Sequence, residues 1–429
     1  MKKTFYLHFI KYYYLFLTVL VFVAPLKYGV LKFTPALVLM WLTYFVFKKG
    51  LNSCRNNGVV AGYNITEDSL KNKMLFFFVL FMVVFIPAYI NFYTGGDPLM
   101  LLMNFGQMTG TDSNYAAYQL YAEEHGITTF SLSKLPYIVL NGIATFFFVY
   151  FCLYIISFKS ERTFLQIALL FILFFLYFLK GISRGTSFEN FELLMVLLFC
   201  LVAGRKIKDN KDFFSKKQLI AVGLIAFVGI IYFTFSMSMR SDNGVSMKGP
   251  TSSLLYDPSS WVMATAPGVG RMALGLSGYF VFPLYFTSEV FWHIWTSSLE
   301  GLTASIVPFT ADLFYDDTRS YGMTLESLYG VDRGMCWVPD IVSLIYITGI
   351  PLFLYLVYIL GRYSMKCYRK GINEGDLSSM MLLYFISYEM ISLPVGNFIM
   401  TASNNQIAVL LTILFVVSHG FKKYKYVKT

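Results

Sequence analysis

Residues 136–158 read PYIVLNGIATFFFVYFCLYIISF, a stretch without a single charged side chain. A helix crosses the hydrocarbon core of a bilayer in about 20 apolar residues, because it satisfies all of its backbone polar groups within the segment. A charge-free run of this length therefore predicts a transmembrane helix. It decides the fold class, since a helix that is apolar on every side must be surrounded by lipid or by other helices.

The composition of the whole chain also indicates a membrane protein. Hydrophobic residues make up 57% and charged residues 14% of the 429 residues, and the mean hydropathy is +0.60, which lies outside the range of soluble domains. The apolar segments predict an all-α polytopic membrane protein, a single integral membrane domain over residues 1–429. Ten spans are predicted: 11–29, 31–47, 74–91, 136–158, 163–179, 189–204, 218–236, 338–360, 378–396 and 403–420.

Positive charge is concentrated in alternate loops. Lys and Arg are concentrated in the N-terminus through Lys11 and in the segments 48–73, 159–162, 205–217, 361–377 and 421–429. These segments hold 24 of the 34 basic residues. Basic loops stay in the cytoplasm, so both termini are predicted to lie inside. The net charge of +10 is accordingly interpreted as an orientation signal that contacts membrane lipids, and nucleic-acid binding is not predicted.

Two long segments are then predicted outside the membrane, 92–135 and 237–337. The second lies between the seventh and eighth spans and carries five cations and nine acids. Within it, residues 278–295 (GYFVFPLYFTSEVFWHIW) are apolar. A full eleventh span here would place the basic C-terminal tail outside, so this stretch is predicted to be an interfacial or re-entrant helix.

Separate arginines near the predicted outer ends of spans are candidates for binding a phosphate anion. Arg184 lies in a glycine-flanked turn, Arg240 follows the seventh span, and Arg333 lies in an acidic, turn-rich section. Arg271 has no acid within ten residues on either side. A guanidinium group can form two parallel hydrogen bonds with a phosphate, so these four residues predict a pyrophosphate site. For Arg333 a salt bridge with a neighbouring acid is the alternative.

Three residues of the external segments could accept a proton from a hydroxyl group. Glu289 and His293 are four residues apart, hence on one face of a helix, and Asp340 stands at the external mouth of the eighth span. The alternative for Glu289 and His293 is the polar face of an interfacial helix. The histidines and cysteines are too dispersed to predict a metal site.

The overall pattern resembles the O-antigen and capsular polysaccharide polymerases of the Wzy family. The likeness rests on the many spans, a glycine-flanked Ser-Arg-Gly at Arg184, and one dominant late external loop. In that loop the segment Tyr279–Tyr285 (YFVFPLY) is similar to the Tyr/Pro helix of such polymerases. The resemblance implies a fold like that of the GT-C membrane glycosyltransferases, in the bacterial cytoplasmic membrane.

The resemblance also implies a reaction on the outer face of that membrane. A glycan on undecaprenyl pyrophosphate is donated to the non-reducing sugar of a new lipid-linked repeat unit, and no cofactor is needed because the lipid pyrophosphate is the leaving group. Arg184 and Arg271 would hold the pyrophosphate, and one of the three acid–base candidates would deprotonate the acceptor. Aromatic rings would stack on the sugars or anchor the membrane interface: Tyr279, Tyr285 and Trp292.

The resemblance implies partner proteins, and other functions are alternatives to the polymerase. A flippase and a chain-length regulator of the same pathway are the implied partners. O-antigen ligases share the same architecture, and a lipid-linked oligosaccharide flippase or other transporter is the main alternative from another class. A membrane acyltransferase is a further alternative.

Overall fold

The structure is a computed structural model that describes most of the chain. The described ranges are 5–54, 69–99, 132–159, 161–183, 188–211, 256–296, 339–396 and 402–427, with single positions between 118 and 125 and between 216 and 224. Within these ranges the regular elements are helices, and the only β-type pairing is an isolated bridge between Leu26 and Tyr256.

The helices of the described part are numbered here in chain order. They are α1 (Phe5–Val23), α2 (Thr34–Ser53), α3 (Ser69–Thr94), α4 (Leu135–Cys152), α5 (Phe164–Ser183), α6 (Phe188–Asp209), α7 (Trp261–Thr265), α8 (Pro267–Phe280), α9 (Phe282–Thr296), α10 (Asp340–Asn373), α11 (Leu377–Ser392) and α12 (Ser403–Val427). Short 3-10 turns, Val30–Phe33 and Leu132–Lys134, lead into α2 and α4, and a π-helix, Leu153–Phe158, continues α4.

Several of these helices are long and apolar enough to cross a membrane. In the described part they are Phe5–Val23, Val30–Ser53, Lys71–Thr94, Leu132–Phe158 and Phe164–Ser183, and α10 would add a sixth as a broken span. The prediction of an all-α protein with helices able to span a membrane is thereby confirmed for the described residues. The count of ten spans and the GT-C likeness stay predictions, and the predicted span 218–236 lies almost wholly outside the described residues.

The first predicted span, 11–29, is wrong at both ends, because α1 runs from Phe5 to Val23. Pro25 explains the early end, since proline disfavours helical backbone in the residue before it. Beyond this point the chain pairs with a distant segment, and the Asp257 N–H donates to the Pro25 carbonyl at 2.8 Å. The Pro25 carbonyl, which lies beyond the helix, is thus hydrogen-bonded by a segment more than 200 residues later.

Helices α2 and α10 pack with their backbones in direct contact. A side-chain carbon at Gly50 would overlap the Tyr358 carbonyl of α10, and one at Gly361 would overlap the Phe47 carbonyl of α2. In a membrane, small residues allow such close approach and gain dispersion energy from it. The two glycines therefore fix the pairing of α2 with α10.

Helix α10 is broken near its start. The helix axis bends by 117° between the arm Asp340–Tyr346 and the main part Thr348–Asn373. Pro351 lacks an N–H and its ring clashes with the carbonyl of the residue four positions earlier, which is at the break. Gly349 has a φ of 71°, a conformation that glycine adopts without steric cost. The arm therefore turns away from the axis of the main helix.

Residues 278–295, predicted as a single helix, are divided between the end of α8 and α9. The break is at Val281, and Pro283 follows at the second position of α9, where a proline is tolerated. Phe280 packs edge-to-face on Phe16 of α1 at 5.8 Å between ring centroids. Phe16 is seven residues from the end of α1, about 10 Å along its axis. Residues 278–280 thus pack on α1, and the interfacial or re-entrant placement of 278–295 stays a prediction.

Candidate functional site

The predicted site residues fall into two groups in the structure. Arg184, Arg240 and Arg333 lie outside the described residues. The backbone of Trp292 and His293 belongs to α9, but their side chains are also outside the described part. Side chains that the structure does place are those of Arg271, Tyr279, Tyr285, Glu289 and Asp340.

Glu289 and Tyr285 are brought together by Tyr28, which lies between α1 and α2. The Tyr28 hydroxyl donates to Glu289 Oε1 at 2.7 Å, and its ring meets that of Tyr285 edge-to-face at 4.6 Å. Burial, followed by the hydrogen bond to Glu289, raises the pKa of Tyr28 above its ordinary value. One residue before Glu289, the Ser288 hydroxyl accepts from the Ala36 N–H at 3.4 Å. Together these contacts anchor α9 to the start of α2.

Removing the Tyr28 hydroxyl is expected to weaken this anchor. The variant Tyr28→Phe loses a hydrogen bond to a charged group, worth about 1.5–3 kcal/mol, and its stability should fall by that order. The thermal unfolding midpoint of the detergent-purified protein measures the loss. Tyr12→Phe is the control, because Tyr12 is 52% exposed on α1. Equal midpoints for the two variants would show that the hydroxyl does not anchor α9.

Arg271 and Tyr279 lie on α8. Arg271 is exposed, while Tyr279 is partly buried eight positions later. Arg271 is thus the described member of the predicted pyrophosphate group, and its side chain is open to a ligand. The structure does not bring it into contact with Glu289 or Asp340 through any described hydrogen bond.

Asp340 is fully buried at the start of α10. Its N–H donates to the Gly396 carbonyl at 2.7 Å, which joins the α10 arm to the chain after α11. Its carboxylate interacts electrostatically with Glu389 of α11. Nearby, the Tyr14 hydroxyl donates to the Met390 carbonyl at 2.6 Å. Asp340 therefore belongs to an acidic pair between α10 and α11, and the Glu289 anchor is a separate group.

A second group of buried polar side chains lies at the predicted outer ends of α4, α5, α6 and α12, and the sequence did not single it out as a unit. We call it the outer polar cluster. Its members are all at most 8% exposed: Asn141, Thr145, Tyr177, Lys180, Glu189, Glu192, Asn404 and Asn405. Four helices contribute to it, so it depends on their packing.

Lys180 is at the centre of this cluster on the α5 side. Its Nζ donates to Asn141 Oδ1 at 2.9 Å. The same Nζ is 4.9 Å from the ring centroid of Tyr177 and 5.2 Å from that of Tyr89, distances at which an aromatic face attracts a cation. Lys180 also interacts electrostatically with Glu192 of α6. A buried ammonium group is thus balanced by an amide, two rings and a carboxylate.

Glu192 connects the cluster to α12. Its Oε1 accepts from Asn405 Nδ2 at 2.8 Å. Asn404 Nδ2 lies 3.3 Å from Asn405 Oδ1 and 3.4 Å from Thr145 Oγ1, and Thr145 Oγ1 shares a hydrogen bond of 2.9 Å with Tyr177. A continuous network therefore runs across α6, α12, α4 and α5.

In sequence, the outer polar cluster borders the predicted turn that holds Arg184. Ser183, the last residue of α5, is 1% exposed, and Glu189, in the first turn of α6, is 0% exposed. Gly181 allows the close approach of the two helices, since a side-chain carbon there would lie 3.0 Å from Asn190 Oδ1. The predicted anion-binding turn is thus continuous in sequence with a buried lysine and a buried glutamate.

A signal for this cluster is present in the sequence. Lys180, Glu189 and Glu192 are ionisable residues in or beside apolar segments, and such residues face the interior of a helix bundle or a cavity. Asn404 and Asn405 begin the last apolar segment. What the sequence does not reveal is that α12 packs along α4, which places Asn405 within hydrogen-bond distance of Glu192 on α6.

Comparison with known proteins gives no relative for this chain: no family model matches the sequence, and no curated protein and no solved structure matches it.

Proposed function

We propose that this protein is a membrane glycosyltransferase that polymerises undecaprenyl-pyrophosphate-linked oligosaccharide repeat units on the outer face of the bacterial cytoplasmic membrane. The observation that carries the proposal is the outer polar cluster, in which a lysine, two glutamates and three amides are buried, and Lys180 and Glu189 precede and follow Arg184 in sequence. Ionisable groups are costly inside a membrane and mark functional sites there. The resemblance of the sequence to Wzy polymerases, with a GT-C-like fold, supplies the sugar chemistry.

The positive residues would act on the leaving group. As the bond to the lipid pyrophosphate breaks, negative charge develops on the phosphate oxygens, and preorganised cations lower the energy of that state. Arg184 is four residues from Lys180, and Arg271 is exposed on α8. Arg240 and Arg333 are further candidates for the same role. Glu289, His293 and Asp340 stay the candidates for deprotonating the acceptor.

A lipid-linked oligosaccharide transporter is the second candidate function. It is favoured by the same buried Lys180 and Glu192, because transporters place ionisable groups inside spans along the substrate path. Deleting the gene separates the two functions. Loss of a polymerase should leave single repeat units on the lipid at the outer face, whereas loss of a transporter should leave them facing the cytoplasm.

Arg184 gives a direct test in a strain whose own copy is deleted. Arg184→Ala is expected to reduce polymer longer than one repeat at least about tenfold, because it removes a bidentate phosphate contact. Arg184→Lys keeps the charge without the bidentate geometry and should give an intermediate yield. The glycan ladder on a gel, normalised to protein level, measures the effect.

Arg362→Ala is the matched control for Arg184. Arg362 is an exposed arginine near the predicted inner end of α10, and its removal should leave the ladder unchanged. Wild-type ladders from Arg184→Ala would contradict the polymerase proposal.

A further inference from the structure

We propose that Glu192 forms a binding site for a ligand hydroxyl group at the outer end of α6. The two carboxylate oxygens of Glu192 differ in their hydrogen bonds. Oε1 accepts from Asn405, whereas Oε2 is buried and has no hydrogen-bond partner among the described residues. The side chain as a whole is only 4% exposed.

A buried carboxylate oxygen needs a donor. Buried polar atoms in proteins are nearly always hydrogen-bonded. Asn190 Oδ1, two positions earlier on α6, is a second buried acceptor without a partner in the described part. The first turns of α6 thus present two acceptors, and a ligand that fits them must donate hydrogen bonds.

The charge around Glu192 selects the kind of donor. Lys180 interacts electrostatically with Glu192 and already supplies the positive charge at this place. A second ammonium group would be repelled by Lys180. A hydroxyl group donates a hydrogen bond without a positive charge, so a neutral or anionic hydroxyl-rich molecule fits best. Saccharides are the membrane-surface ligands of this chemical class.

The identity of the saccharide rests on the proposed function. In that reaction Glu192 would be the base in place of Glu289, His293 or Asp340. The bound hydroxyl belongs to the acceptor sugar, and its proton passes to Glu192 Oε2 while its oxygen forms a bond to the anomeric carbon of the donor. The bond between that carbon and the pyrophosphate oxygen breaks, and its electron pair leaves on the phosphate. The Lys180 and Asn405 contacts hold the carboxylate in place for this transfer.

The site can be tested by binding, without any polymerisation assay. The protein is purified in an amine-oxide detergent, which carries no hydroxyl groups, and its thermal midpoint is followed as octyl glucoside is added below its micelle concentration. The permethylated glucoside has the same ring but cannot donate hydrogen bonds. Wild type should prefer the glucoside by about 10-fold or more, the value of a hydrogen bond to a charged group.

Glu192→Gln tests the assigned atom. Glutamine keeps the shape and an acceptor for Asn405 but replaces Oε2 with a donor NH2 group. The preference for the glucoside should therefore fall to about twofold or less. Glu389→Gln is the matched control, because Glu389 also has a buried oxygen without a described partner but faces Asp340 instead of a lysine. It should keep the wild-type preference.

Three results would overturn the site. The first is that octyl glucoside does not stabilise the protein, as expected if only water occupies the site. The second is equal stabilisation by both glucosides, and the third is a wild-type preference in Glu192→Gln. Failure of the proposed function is a separate result. If Arg184→Ala leaves the polymer unchanged and wild type prefers the glucoside, the polymerase proposal is rejected and the hydroxyl site is kept. If Arg184→Ala loses the polymer and wild type shows no preference for the glucoside, the site is rejected and the polymerase proposal is kept.

Discussion

Replacing Gly50 by alanine is expected to lower the stability of the protein by about 3 kcal/mol, the upper range for overpacking a buried contact. The added methyl group would overlap the Tyr358 carbonyl, which belongs to the backbone of α10 and cannot rotate away. Alanine favours a helix over glycine by about 1 kcal/mol, so intrinsic propensity acts in the opposite direction. The thermal unfolding midpoint in detergent should therefore fall despite the better helix former.

Substitutions at two further glycines test this prediction. Gly361→Ala meets the Phe47 carbonyl from the other side of the same contact and should destabilise to a similar extent. Gly278→Ala is the control, because no atom lies within 4 Å of a side-chain carbon placed there. This control should be neutral or stabilising. A Gly50→Ala protein as stable as Gly278→Ala would mean that α2 and α10 do not pack in the way described.

The membrane class could be predicted from the sequence because it depends on local composition. Runs such as 136–158 must be helical in lipid whatever surrounds them. Hydropathy does not define the helix boundaries, since the length of an apolar run does not show where a cap or a proline ends the helix. The early end of α1 before Pro25 and the division of 278–295 at Val281 both result from backbone effects that hydropathy does not measure.

The candidate site could be predicted only in part, because it depends on which helices are neighbours. Arg184 and its flanking residues form one continuous sequence, so a turn there can be predicted without a structure. The contact of Asn405 with Glu192 joins residues 213 positions apart. The Tyr28 hydroxyl reaches Glu289 across 261 positions. Periodicity defines the buried face of each helix, but it does not identify the helix that covers that face.

Replacing Lys180 by methionine is expected to destabilise the protein by about 3–5 kcal/mol, the cost of removing one member of a buried charge pair. The variant keeps the length and apolar stem of the side chain. It leaves Asn141 Oδ1 without its donor and removes the cation from the faces of Tyr89 and Tyr177. It also leaves the Glu192 carboxylate without the positive charge beside it. The thermal midpoint in detergent is the measurement.

The double variant Lys180→Met with Glu192→Gln decides between a charge effect and a packing effect. If the loss is electrostatic, neutralising Glu192 should restore at least about half of it, because residues that interact directly do not give additive free energies. If the loss comes from packing, the two changes should simply add. Lys11→Met is the control, since Lys11 is an exposed lysine on α1, and it should change the midpoint little. Additive losses in the double variant would show that Lys180 and Glu192 are not energetically coupled.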